Sequence, residues 1–518
     1  MSSCLQRIRL LVILLCGIVA ICLSVDRVTA QTTQPSKAVR ALANLQEQHR
    51  AAYLRMSEAL ERIAQTCEER NLNVIAMQIR RIAQPVDPDM LRFEPLPRNI
   101  QPPISADLPD DEREWRTQLR DHRREYAKQL DLLAQQAVKS KFPSYAFQLI
   151  REAVLHDSDH ERARRLLGYV RYKDEWVSPF ERQRLEKKEV WTAQFGWLPA
   201  AHVERYKSDE RFYLGKWMPA KEEAKQRQDF SKAWEIRTEH YLLKTNQSLE
   251  RGVELATALE EFHRFFQQTF AAFFDTPQQL QKLFASTTMT QRPVKVPFNI
   301  HFFSSRDEYI AKLKSRYQGQ ILALSNGVYD TDDRIVYSFE NPGTPAETTM
   351  YHEATHQLLA AHLKPSPMIA NRANFWLIEG FACYIESFQR QGGRLTLGDP
   401  QCIRFATARQ RLLQDGYYMP LEDFTRLGKD AYQAHPRLQN NYSQAAGIVH
   451  FLMHYDKGRY RDDLVEHLRL IYQQAEQGNS VATLADLTGT EFKILDQQYA
   501  EFSKALSKAL QEQFAQQP

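Results

Sequence analysis

Two histidines and a glutamate lie within one short stretch, in an order that can bind a metal ion and activate water. The stretch is Met350-Tyr-His-Glu-Ala-Thr-His-Gln-Leu-Leu-Ala-Ala361, and its apolar residues recur at helical spacing. On a helix, His352 and His356 project from one face, so both rings can donate a nitrogen to one Zn²⁺. Glu353 can take a proton from a water on the metal, whose pKa zinc lowers to about 7. The stretch predicts a hydrolytic zinc site.

A second motif follows in Phe375-Trp-Leu-Ile-Glu-Gly-Phe-Ala-Cys-Tyr-Ile-Glu386. It resembles the third-ligand helix of gluzincin metallopeptidases, above all the aminopeptidase N family, with its pattern Trp-Leu-x-Glu-Gly-Phe-Ala-x-Tyr-x-Glu. The resemblance implies that Glu379 is the third zinc ligand and that Glu386, two helical turns further on, orients a ligand histidine. The alternatives are a solvent-facing acid for Glu379 and a surface salt bridge for Glu386. Three protein ligands would leave one position open for water.

A tyrosine further along matches a third position of the same family. Tyr442 begins a predicted helix and resembles the tyrosine whose hydroxyl binds the oxyanion of the tetrahedral intermediate. A tyrosine that packs on the core at the start of a helix is nearly as good an interpretation, so the role stays open.

Two features depart from the aminopeptidase pattern. Members of that family carry a Gly-x-Met-x-Asn segment with a glutamate that holds the free amine of the substrate, and the corresponding stretch, Ser325–Tyr329, lacks it. His356 and Glu379 are also a few residues further apart than is usual. Exopeptidase action is therefore not implied. The strands that end at Phe339, before the zinc helix, could still pair with an extended peptide.

The motif helices need a scaffold that brings them together. With 518 residues, 43% of them apolar, the chain is long enough for two or three domains. From Glu347 onward the pattern is almost entirely helical, and strands are predicted before it at Trp234–Lys244, Val294–Phe303 and twice within Gly327–Phe339. We predict an α+β, predominantly helical fold, in which a gluzincin-like catalytic domain of mixed strands followed by zinc-binding helices covers residues 226–518.

Residues 1–30 have the character of a signal peptide. Arg7 and Arg9 precede an apolar run from Leu10 to Val25, and Ala30 ends a small-residue cleavage site. An uncleaved membrane anchor is the alternative, because the run is near the short end of a spanning helix. Cleavage would leave an exported protein, periplasmic or secreted, with no stable membrane span.

Two further regions are predicted between the signal and the catalytic domain. Residues 31–165 should be helical, with a surface that could hold a protein partner. A hairpin near the end of this region resembles a tetratricopeptide unit, and an ordinary helical hairpin is an equally good interpretation. In residues 166–225, Trp176, Trp197 and Trp217 recur just before prolines, which predicts a small β module packed on its tryptophans.

The charge balance excludes some partner classes. The 68 basic and 64 acidic residues give no reason to expect nucleic acid or an anionic membrane surface. We expect a peptide or protein substrate and one Zn²⁺ per chain. The rivals are an envelope binding or scaffold protein with a structural zinc, against which the intact Glu353 argues, and a zinc hydrolase of another amide or ester, which shares the same metal chemistry.

Overall fold

The computed structural model describes residues 37–84, 91–286, 296–317, 325–341, 343, 345–363, 369–474 and 482–515. The predicted signal peptide lies outside these residues. No helix within them combines the length and apolarity needed to cross a membrane. Residues 41–518 form one unit, and the other unit, residues 1–40, is described only from residue 37 onward.

The fold is α+β and predominantly helical, as predicted. The helices are, in chain order, α1 Lys37–Glu69, α2 Asn73–Ile82, α3 Asp110–Lys139, α4 Pro143–His156, α5 Glu161–Leu166, α6 Pro179–Glu186, α7 Val203–Lys207, α8 Ala220–Arg227, α9 Leu249–Thr269, α10 Ala271–Phe274, α11 Pro277–Ala285, α12 Arg306–Leu313, α13 Ala346–Leu363, α14 Phe375–Ile385, α15 Ile403–Leu413, α16 Leu421–Thr425, α17 Lys429–Gln433, α18 Leu438–His454, α19 Arg461–Gln474, α20 Leu484–Thr488 and α21 Phe492–Ala515. The strands are β1 Leu91–Phe93, β2 Val170–Tyr172, β3 Glu175–Val177, β4 Glu189–Thr192, β5 Gly196–Pro199, β6 Glu210–Tyr213, β7 Lys216–Pro219, β8 Trp234–Arg237, β9 Tyr241–Thr245, β10 Phe298–Phe303, β11 Gly327–Asp330, β12 Ile335–Phe339, β13 Gln389–Gln391 and β14 Arg394–Leu397.

A five-stranded sheet of order β11-β12-β10-β9-β8 supports the motif helices. β10 runs parallel to β9 and β12, while β8 and β11 are antiparallel edge strands. Side chains alternate between two faces. Ile300 and Phe302 point into the main core with α9 and α13, whereas Phe303 and Phe339 pack with α12 on the other face.

The C-terminal half is less uniformly helical than predicted. A hairpin of β13 and β14 follows α14, because Gly392 and Gly393, with φ of +58° and +78°, supply the tight turn. Strand β1, from the proline-rich segment near the N-terminus, pairs antiparallel with β14 and buries Leu91 and Phe93. Chain segments some 300 residues apart thus share one small sheet.

The N-terminal helices share a core of their own. Residues of α1 to α5 pack together with Leu280 and Phe284 of α11. Helix α4 packs chiefly along α3, while α5 is only six residues long because the chain turns at Gly168, with φ of +87°. The tetratricopeptide-like hairpin predicted for α4 and α5 therefore has a very short second arm.

The tryptophan-rich region contains as much helix as strand. Each of the two-stranded hairpins β2-β3, β4-β5 and β6-β7 is followed by a short helix. Pro199 and Pro219 are the last residues of β5 and β7, whereas Pro179 begins a helix: it lies at the first turn of α6, where Ser178 and Glu181 form a capping box. Trp176 is buried, and its indole nitrogen donates to Asp159 at 3.0 Å.

Candidate metal centre

Helix α13 places both motif histidines on one side. Met350, Tyr351, Ala354 and Leu358 are buried and fix this helix against the sheet and α9. The four-residue spacing then puts His352 and His356 one turn apart, with their Nε2 atoms separated by 3.3 Å. Two imidazole nitrogens therefore converge on one point.

Helix α14 brings Glu379 to the same point. All other residues of α14 are buried, and Glu379 alone keeps some exposure, on the side that faces α13. Its Oε2 atom lies 3.8 Å from His352 Nε2. One ligand atom each of His352, His356 and Glu379 lie within 4.8 Å of one another, so this group could hold a metal ion.

A glycine in α14 lets this helix approach its neighbour α18. A Cβ atom added at Gly380 would lie 2.9 Å from three atoms of Ala445, two of them backbone atoms. Only glycine fits at such a distance. The Glu-Gly pair of the motif thus places the candidate ligand Glu379 next to the close contact between the two helices.

Glu386 lies behind His352. Its Oε1 accepts a hydrogen bond from His352 Nδ1 at 2.9 Å, and its side chain is only 10% exposed. Arg404, at the start of α15, donates to both oxygens of Glu386, from Nε at 2.7 Å and from its terminal nitrogen at 2.8 Å. The structure thus brings Glu386 into contact with the side of the His352 ring that faces away from His356 and Glu379. Arg404 carries no motif that sequence reasoning could have used.

Edge strand β11 lies against Glu353. The backbone N–H of Tyr329 donates to Glu353 Oε2 at 2.8 Å. Close approach is needed here too, because a Cβ at Gly327 would lie 2.6 Å from Thr349 Cγ2 and 3.2 Å from Glu353 Cγ. Of the two strands within Gly327–Phe339, β12 is flanked on both sides, so among the described strands only β11 offers an open edge at the site.

Burial sets the charge states of the site. It raises the pKa of Glu353, against the opposing effect of His352, and it raises the pKa of Glu379. It lowers the pKa of His356 to about 3, with help from His352. Burial also disfavours charge on His352, but contacts with Cys383 and Glu386 outweigh it and hold that pKa well above its usual value. Carboxylates whose ionised form is disfavoured by burial are groups that a cation between them would stabilise.

Tyr442 lies on α18, which packs along the second motif helix, α14. It is partly buried and packs edge-on against Tyr432, with ring centroids 5.5 Å apart. Burial, followed by the carboxylate of Glu379 and more weakly that of Glu353, raises the pKa of its phenol. The hydroxyl is therefore protonated at neutral pH and lies within electrostatic reach of the site. Tyr432, which the sequence analysis did not single out, has a buried hydroxyl without a partner among the described residues.

Two other histidines with four-residue spacing are held by core contacts instead. His450 Nε2 bonds to the backbone oxygen of Gly398 at 3.1 Å, and His454 Nε2 bonds to Tyr384 at 2.8 Å.

The chain as a whole matches no protein-family model, no curated protein and no solved structure.

Proposed function

We propose that this protein is a zinc-dependent hydrolase that cleaves peptide bonds, with His352, His356 and Glu379 as metal ligands and Glu353 as general base. The convergence of the three ligand atoms beside Glu353 is the observation that carries this proposal. Two nitrogens and one carboxylate oxygen, with a fourth position left for water, are a donor set typical of catalytic zinc.

The spacing of the donors fits a tetrahedral ion. Two Zn–N bonds of about 2.0–2.1 Å at the tetrahedral angle place their nitrogens roughly 3.3–3.4 Å apart. The Nε2 atoms of His352 and His356 are 3.3 Å apart. Glu379 Oε2, at 3.8 Å from His352 Nε2, lies within about half an ångström of the corresponding distance.

The surrounding residues prepare the donors for their roles. Glu386 accepts the Nδ1 proton of His352, so Nε2 is the nitrogen that faces the other ligand atoms and would release its proton to bind a metal. The N–H of Tyr329 holds Glu353 Oε2, so that Oε1 remains free to accept a proton. Zinc bound at this site would lower the pKa of a coordinated water to about 7 and polarise the scissile carbonyl.

Proton transfer and charge stabilisation then fall to two side chains. Glu353 takes the proton of the attacking water and delivers it to the leaving amine. The raised pKa of Glu353 lies closer to neutral pH than that of an ordinary glutamate, which suits a group that must both accept and return a proton. The protonated hydroxyl of Tyr442 donates a hydrogen bond to the oxyanion as it forms.

The edge strand favours a peptide as the substrate. In an antiparallel strand the N–H and C=O of one residue point to the same side, so the C=O of Tyr329 points outward with the N–H that holds Glu353. An extended peptide that lies along β11 can donate an N–H to this carbonyl and present its next bond to Glu353. A small ester or amide would make no use of the strand.

Cleavage of a diverse fluorogenic peptide library by the purified chain tests the proposal, with Glu353→Gln as the matched control. We expect cleavage that is abolished by chelation, restored by Zn²⁺ and lost in Glu353→Gln, although that variant still binds metal. Bound zinc without cleavage of any peptide would overturn the peptidase proposal. A panel of esters and non-peptide amides would then separate the two rivals, another hydrolase and a silent binding protein.

A further inference from the structure

We propose that Arg404 is a positioning residue for the metal: it holds Glu386, and through Glu386 it fixes the ring orientation of His352 and thereby the metal affinity. This inference rests on the proposed zinc site and extends it by one residue. Arg404 lies in the first turn of α15, eighteen positions beyond Glu386, and makes no contact with the ligand atoms itself.

The contact between Arg404 and Glu386 is a two-point one. Nε donates to Oε2 at 2.7 Å, and a terminal nitrogen donates to Oε1 at 2.8 Å. Two parallel bonds from a planar guanidinium fix the plane of the carboxylate as well as its position. Because Oε1 also accepts from His352 Nδ1, the orientation of the carboxylate sets the orientation of the imidazole.

The backbone around Arg404 is anchored in the core. The next residue, Phe405, is buried, and its ring stacks on Tyr384 of α14 with centroids 5.7 Å apart. Helix α15 also packs along α18. The side chain of Arg404 is 39% exposed, whereas that of Glu386 is 10% exposed. A rigid helix therefore presents a donor pair to a nearly buried carboxylate, which is the arrangement expected of a positioning group rather than of a surface ion pair.

The same helix offers a matched control. Arg411 is also an arginine of α15, and its guanidinium bonds to the backbone oxygen of Gln439 at 2.7 Å and to Ser443 at 2.6 Å. Neither contact involves Glu386. Loss of Arg411 should therefore reproduce the general cost of removing an arginine from α15 without the effect on the metal.

Zinc affinity of the full chain, measured by competition with a chromophoric chelator, tests the inference. We expect Arg404→Gln to weaken Zn²⁺ binding by about 10- to 100-fold, the usual effect of losing a partner of a metal ligand, and Arg404→Lys to weaken it less. Arg411→Gln should bind like the wild type. In the Co²⁺-loaded chain, the visible spectrum should change in Arg404→Gln but not in Arg411→Gln, since a mere loss of stability leaves the ligand field unaltered.

A double-mutant cycle tests whether Arg404 affects zinc affinity through Glu386. If Arg404 acts through Glu386, Arg404→Gln should cause no further loss in a Glu386→Ala background. Additive losses, or a wild-type affinity in Arg404→Gln, would overturn the inference alone, provided that the wild type binds zinc and Glu379→Ala does not. A wild-type chain that binds no zinc would overturn the proposed function together with this inference.

Discussion

The close contact between α14 and α18 at Gly380 predicts whether Gly380→Ala stabilises or destabilises the protein. Replacing a helix-interior glycine by alanine stabilises a helix by about 1 kcal/mol when the methyl group has room. At Gly380 the new Cβ would lie 2.9 Å from the carbonyl carbon, oxygen and Cβ of Ala445. Carbon atoms prefer roughly 3.5–4.0 Å, so the helices must separate by more than half an ångström.

Backbone atoms cannot rotate away, and overpacking of this kind typically costs about 1–3 kcal/mol. The upper end of that range, about 3 kcal/mol, is reduced by the gain in helix propensity of about 1 kcal/mol. We therefore expect Gly380→Ala to lower the free energy of unfolding by about 2 kcal/mol. Glu379 is the adjacent residue, and a displacement above about half an ångström is enough to spoil a metal site. Zinc affinity should therefore fall with stability.

Gly252→Ala is the matched control for this prediction. There the new Cβ would meet side-chain atoms, Ile236 Cδ1 at 2.6 Å and Thr245 Cγ2 at 2.8 Å, and the adjacent residues are not candidate ligands. Denaturant titration of both variants, together with zinc titration, should show a loss of stability and of metal for Gly380→Ala and a loss of stability with intact metal binding for Gly252→Ala. If Gly380→Ala is as stable as the wild type or more stable, the close helix contact does not set the position of Glu379.

Three further substitutions test separate parts of the reasoning. Glu353→Gln should keep zinc and lose about 10²- to 10⁴-fold in turnover, measured with the best library peptide; unchanged turnover would exclude Glu353 as the base. Tyr442→Phe should lower turnover by about 10²- to 10³-fold at unchanged zinc affinity, whereas a loss of stability alone would assign Tyr442 to core packing. Burial, with Asp462 next to it, raises the pKa of Asp463 to about 7, above its usual value of 3.8. The stability that this group contributes is therefore complete below pH 4 and lost as the pH rises through 7. Asp463→Asn should flatten the fall in unfolding temperature between pH 5 and pH 8, and identical profiles for variant and wild type would refute the shift.

The parts of the fold that could be predicted from the sequence are those determined by residues close together in the chain. The helical spacing around His352 and His356 is visible within a few residues, and Ser248, a residue type typical of helix starts, caps α9 by accepting from the backbone N–H of Arg251. The two strands predicted around residues 330–333 are β11 and β12. Each of these features depends on residues within a few positions of one another, so composition and periodicity suffice to find it.

The features that were missed depend on contacts between distant segments. Nothing near Arg404 marks it as the partner of Glu386, and three residues, Leu91–Phe93, give no periodic signal that they will pair with β14.

Trp234–Lys244 was predicted as one strand, but the chain turns within it and forms β8 and β9. In the tryptophan-rich region, Ser178 and Pro179 are a local helix-start signal, and a helix begins there. The prediction gave more weight to the strand propensity around the tryptophans and missed this helix.

The candidate site depends on both kinds of feature, and this has a consequence for how it assembles. Helix α13 carries two of the proposed ligands and can form from local interactions, but two imidazoles alone are half of a tetrahedral donor set. Glu379 lies on α14, which packs closely on α18 at Gly380, and by our proposal His352 is oriented through the contact of Glu386 with Arg404 of α15. A segment with α13 alone should therefore bind zinc weakly, and tight binding should appear only with the complete tertiary structure. Metal affinity is for this reason a more sensitive report on the packing of α14, α15 and α18 than helix content is.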